Sequence, residues 1–256
     1  MHYAFYESRR LRIEACPRDA CMTRESQLSL LAQARVCSAA AVAASFLLVG
    51  AAQASPLAGA NGFHFSDPTS SCQSDCAFSL YAGRFLDTSM KEVFGLNGFT
   101  PPQKWRWGNS SFVGMTFGRP ILRYSDLFAV ELEVGAGKRF GALTSTEVWG
   151  AIYFRWTKFP WNHIVRTSMA VSTGLNYAPH LDAIENARTA NAGRGSHLLH
   201  FLSPEITFGL PSRPDIDVFL RLHHRSGGGK IFGPVAIFKG AGGGAQYGVV
   251  GVRTRF

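Results

Sequence analysis

The sequence predicts an all-β fold, an eight-stranded antiparallel transmembrane β-barrel of outer-membrane type. Three observations predict it. An export signal stands at the front. The rest of the chain repeats stretches of about ten residues that alternate apolar with polar. The connections between those stretches alternate between short and long. Composition agrees: of 256 residues 46% are hydrophobic and only 17% charged, yet mean hydropathy is just +0.02. Strands that are apolar on one face and polar on the other average out in this way.

The export signal comes first. Arg24 and Arg35 precede an apolar run from Ala39 to Val49, and Ala52-Gln53-Ala54 supplies a small-residue cleavage site. The run is too short to span a bilayer, which takes roughly 20 residues, and the layout is that of a secretory signal. Residues 1–54 are expected to be removed, with Met22 an alternative start and 1–21 then an over-called extension. Residues 55–76 are expected to form a periplasmic N-terminal segment, and 77–256 the barrel. Cys16, Cys21 and Cys37 fall in the removed part. Cys72 and Cys76 remain, and an oxidising compartment favours a disulfide between them. A lone C-x-x-x-C is a poor metal site, because two more ligands must come from elsewhere.

The strands follow in order. The clearest alternation is Phe128, Val130, Leu132 and Val134 on one face against Glu131 and Glu133 on the other. Val148, Ile152, Phe154 and Trp156 oppose Glu147 and Arg155 in the next stretch. Val165 to Tyr177 alternates likewise. The predicted strands are 77–86, 109–118, 124–137, 146–158, 163–178, 197–209, 215–226 and 244–256. Short connections with proline are expected at 119–123, 159–162 and 210–214. Longer loops are expected at 87–108, 138–145, 179–196 and 227–243. Trp105, Trp107, Trp149, Trp156, Trp161 and Tyr177 gather near strand ends, as an interfacial girdle requires. An even strand number puts both termini on the short-turn side, and terminal Phe256 suits an assembly signal read by the barrel assembly machinery.

Charge narrows the partners less. The chain carries +9; six of its 26 basic and four of its 17 acidic residues precede residue 55, so the part after the signal carries +7. Lipid phosphate or another anion would suit that excess, and so would ordinary surface charge. The glycine-rich stretch 227–244 holds no G-K-[ST], which argues against a nucleotide loop. No nucleic-acid partner and no cofactor are expected. Self-association as a homodimer stays open.

The chemistry concentrates in the seventh strand, Asp215 to Ser226. Ile216, Val218, Leu220 and Leu222 set its lipid face, and the same alternation carries His224 and Ser226 onto it. Asp217, Arg221, His223 and Arg225 point inward, where His223 and Arg225 suit a polar network with Asp217 and Glu205. The strand runs outward, so His224 and Ser226 arrive at the outer leaflet. Serine needs a base to become a nucleophile. His224 could be that base if the strand bends enough, since same-face neighbours on a strand stand about 7 Å apart. The amides of Gly227 and Gly228 could receive an oxyanion. His197 and His200 read as loop-end residues. Four histidines with disagreeing faces make no metal site.

His224-Arg225-Ser226, an H-x-S near the end of the penultimate strand, resembles the PagL-type lipid A deacylases. The resemblance covers the barrel architecture loosely and the last 40 or so residues more closely. It implies a Ser-His hydrolase on the outside of the barrel, a lipid A 3-O-deacylase-like carboxylic ester hydrolase acting on lipopolysaccharide in the bacterial outer membrane. Ser226 is then the nucleophile and His224 the base. Two positions depart from that family. Gly227 stands where the family has an asparagine, and no Asp or Glu follows Asp217. Gln246, of the same parity as Val250 and Val252, is the nearest residue able to orient the imidazole. Two alternatives are a non-catalytic structural, adhesive or narrow-pore barrel, and a soluble lipocalin-like carrier with an apolar interior.

Overall fold

Alternation along each strand decides which side of the wall every residue occupies, and the computed structural model bears this out strand by strand. It describes residues 62–95, 100–181, 195–227 and 244–256. The signal region, Gly228 and both lysines of the last loop, Lys230 and Lys239, lie outside the described residues.

Ten strands form. β1 (Phe63–Phe65) is a short addition. β2 (Ala77–Leu86), β3 (Trp107–Tyr124), β4 (Phe128–Gly141), β5 (Thr146–Trp156) and β6 (Arg166–Tyr177) are the first five staves. β7 (Leu198–Leu202) and β8 (Glu205–Gly209) together make the sixth, and β9 (Ile216–Ser226) and β10 (Gly244–Arg255) complete the set. All pairings are antiparallel, and β10 pairs with β2, so the sheet closes on itself. Closure leaves no open edge, which is what a strand structure in lipid requires. Among the described residues no helix is long and apolar enough to cross a membrane.

The boundaries correct the sequence reading in three places. Residues 119–123 are not a turn: β3 continues through Pro120 to Tyr124, with a bulge between Pro120 and Leu122. A bulge accommodates a proline that has no amide to give the ladder, and the turn falls at Ser125, whose φ is +51°. Half of the expected loop 138–145 is strand, since β4 runs to Gly141. The sixth stave is interrupted at Ser203-Pro204 for the same reason as the bulge. Its two halves keep one register on β9, with Leu202 opposite His224 and Glu205 opposite Arg221.

The outer wall is apolar. Leu80, Val113, Met115, Val134, Phe154, Met169, Val171, Val218, Leu220, Val250 and Val252 all lie exposed on it. A continuous apolar surface of that kind belongs in lipid rather than in water. Trp107, Trp156, Trp161 and Tyr177 are exposed as a girdle would be, whereas Trp149 is not. Trp149 points into the barrel and stacks on Phe201. Gly135 leaves the space for it: a Cβ there would lie 2.3 Å from the indole.

The lumen is filled with paired charges and aromatic rings. Glu205 accepts from Arg155 (2.8 Å), Arg221 (2.8 Å) and Arg253 (2.9 Å). Arg221 also donates to Glu133 at 2.7 Å. Higher up, Glu147 bonds both Arg139 and His223, and Tyr81 Oη lies 3.2 Å from His223 Nδ1. Asp217 is held by Arg166 and Arg255. His223 therefore sits inside, as alternation predicts, but its acid is Glu147 rather than Asp217 or Glu205. Arg225 bonds the carbonyls of Ser196 and His197. A charged lumen excludes the lipocalin alternative, which needs an apolar one.

At the short-turn end, Cys72 and Cys76 form a disulfide, and Arg119 bonds Asp75 at 2.7 Å beside it.

Candidate functional site

One patch of the outer wall is polar, at the loop end of β6, β7, β9 and β10. It is built from the strand register. Gln246 of β10 stands directly opposite His224 of β9. His200 of β7 stands directly opposite Ser226 of β9. Inward neighbours confirm the facing, because Phe201 and Arg225, one residue on, pair inside the barrel and are fully buried. Thr173 of β6 completes the row, its Oγ1 2.9 Å from His200 Nε2. Thr173, His200, Ser226, His224 and Gln246 thus form one polar row on the outer face.

Part of this surface is covered by the chain after β2. Residues 87–95 and 100–106 lie back over it as a strap. Asp87 N donates to Arg106 O and Arg106 N to Thr88 Oγ1, both at 2.8 Å. A one-turn helix, α1 (Met90–Val93), starts with a reciprocal cap between Ser89 and Glu92. Val93 and Trp105 then pack on Leu86 and Leu222 of the outer wall. The contrast along one strand is direct: Leu220 is 52% exposed and Leu222, one step higher on the same face, 8%. The strap also holds Gln246, whose Nε2 donates to Thr88 O at 3.0 Å. Gln246 is therefore on the outer face but buried.

The sequence-derived site residues are brought together in part. His224 and Gln246 meet, and the amide of Gln246 is the hydrogen-bond partner of the imidazole. His224 Nδ1 is buried and has no hydrogen-bond partner. Ser226 lies two residues on, and the Ser226–His224 bond on which the sequence reading depended is not among those His224 makes. Gly227 follows as a buried bend, and Gly228 lies outside the described residues. Among the described residues no cluster of His, Cys, Asp or Glu is arranged to hold a metal.

One residue of this patch was missed. His200 is not at a loop end but within β7. Alternation alone could have found it, because 200 shares parity with Leu198 and Leu202. The interruption at Pro204 obscures which face that parity serves. His197, by contrast, does cap a loop, its Nδ1 2.9 Å from Ala178 O.

No family model and no curated protein matches the chain. Among solved structures it is similar to Neisserial surface protein A, with a TM-score of 0.41 and 11% identity over 73% of this chain and 100% of that one. It is also similar to the N-terminal β-barrel domain of OprF from Pseudomonas aeruginosa, with a TM-score of 0.37 and 9% identity over 71% and 98%. A third is Ail, the attachment invasion locus protein of Yersinia pestis, crystallised with the heparin analogue sucrose octasulfate, with a TM-score of 0.26 and 9% identity over 71% and 98%. Likenesses so distant transfer no function.

Proposed function

We propose that this barrel is an outer-membrane hydrolase that removes an ester-linked acyl chain from lipid A of lipopolysaccharide. Ser226 is the nucleophile, and an imidazole of the patch takes its proton. The residue that the H-x-S motif offers for that role is His224, held by Gln246. The Gly227 amide is the oxyanion donor in this reading.

The observation that carries this reading is the position of the polar row. Polar groups on a lipid-facing wall cost free energy, and where they persist they mark function. These five sit where β9 ends and β10 begins, at the loop end. That is the boundary between acyl chains and headgroups, where an ester of a membrane lipid is met and a soluble substrate is not. The neutral Gln246 can orient an imidazole, though it stabilises an imidazolium less than a carboxylate does, so a slow enzyme is expected.

The test is mass spectrometry of lipid A from cells expressing the wild type and Ser226→Ala. Loss of one acyl chain in the wild type alone is the expected result. Identical lipid A in both would overturn the reading. A second reading, a structural or adhesive barrel, draws on the missing carboxylate at position 246 and the unmade Ser226–His224 bond. It expects identical lipid A.

A further inference from the structure

Ser226 has two imidazoles near it, and the nearer by register is not the one its own strand supplies. His200 lies directly across from Ser226 in the β7–β9 pairing. Residues so placed hold their Cβ atoms about 4.5–5.5 Å apart. His224 is two residues along the same strand, roughly 7 Å away. His200 is also buried and held on both sides by β6 and β9. Its Nε2 meets Thr173 Oγ1 on β6 at 2.9 Å, which fixes one edge of the ring on the side away from β9. His224 has its partner on the opposite side, in Gln246 of β10.

We propose that His200 is the general base of this site and Thr173 the residue that positions it. The inference rests on the hydrolase reading above and names the group that takes the proton. Ser226 Oγ attacks the ester carbonyl carbon while its proton passes to His200 Nδ1. The tetrahedral adduct breaks its C–O bond to the sugar, whose oxygen takes that proton and leaves as the alcohol. Water then adds to the acyl carbon and gives a proton to the same nitrogen. Breaking the C–Oγ bond returns that proton to Ser226 and releases the fatty acid. His224, held by Gln246 on the other side of β9, takes no proton from Ser226 in this arrangement.

The experiment measures fatty acid release from purified lipid A by the full chain in detergent micelles. His200→Ala, His200→Asn, Thr173→Val, His224→Asn and Ser226→Ala are compared. Heat-dependent gel mobility selects the variants that fold, and the two His200 variants provide a folded one if either fails. A fall in kcat of about 10²- to 10⁴-fold at His200, with KM unchanged and partial rescue of His200→Ala by added imidazole, is expected. Thr173→Val should lose about fivefold, in line with one lost hydrogen bond of roughly 1 kcal/mol. A His200 variant within threefold of wild type, beside an inactive Ser226→Ala, would overturn the assignment of the base and leave the hydrolase reading standing. An active Ser226→Ala would instead remove the reading itself.

Discussion

The lumen and the upper outer wall of this barrel both hold polar side chains, histidines among them, and they use them differently. Inside, the carboxylates and guanidinium groups pair with one another. Glu205 faces three arginines, Glu147 faces Arg139 and His223, and Asp217 faces Arg166 and Arg255. Each charge there is matched because a buried charge without a partner is destabilising by several kcal/mol. Outside, the row from Thr173 to Gln246 stands in a surface that lipid would fill more cheaply with valine or leucine. His224 Nδ1 even lacks a partner while buried. Paired charge inside the wall builds the barrel; a row of neutral polar groups on its outer face does not, and is what the proposed function assigns to a substrate.

That contrast can be broken by substitution on either side. The largest effect is expected at Ser226→Ala, with deacylation falling about 10³-fold or more while the unfolding midpoint in denaturant stays where it was. A shifted midpoint would place Ser226 among the structural groups. Glu205→Ala should do the reverse. It strands three arginines and should cost about 3–5 kcal/mol, read by denaturant unfolding of the barrel in vesicles. Leu220→Arg tests the apolar wall itself. A cation near the middle of a lipid-facing strand costs about 2–4 kcal/mol, so insertion into vesicles should weaken by that amount, and an unchanged yield would argue against a lipid-facing β9. Gln246→Ala removes both the imidazole's partner and the donor to Thr88 O. About a tenfold loss of activity is expected, with roughly 1 kcal/mol of stability, and greater protease access to residues 87–106.

The smallest effect concerns the short-turn end. Burial pushes the Asp75 carboxyl up, but the Gln73 amide and the Arg119 guanidinium outweigh it and hold it below the usual carboxylate range. A lowered value in the folded state means that its tie to Arg119 is complete above the ordinary carboxylate range and fades as pH falls through that lowered value. Hydrogen exchange of residues 72–76 should therefore rise only in acid. Asp75→Asn should abolish that dependence.

Much of this was legible in the sequence, and the reasons differ by element. β2, β5, β9 and β10 carry uninterrupted alternation, so their limits and faces could be read directly. Pro120 and Pro204 misled in opposite directions: Pro120 reads as a turn, yet a closed barrel absorbs it in a bulge, while 197–209 reads as one strand that Pro204, lacking an amide, interrupts. Trp149 misled because an aromatic near a strand end suits both a girdle and a lumen, and only Gly135 opposite it makes the lumen side possible. His224 and Ser226 were legible because they lie on one strand.

By itself, the sequence determined the class of the fold, the side of the wall on which each strand residue lies, and a serine and histidine on the lipid side. Period two is a local property, and local patterns survive in a linear string. Only the tertiary structure decided which strands stand side by side at what register. That placed Gln246 against His224, His200 against Ser226, Glu147 against His223, and a strap over Leu222. Those pairings join residues tens of positions apart, and they depend on how the sheet closes rather than on any one strand.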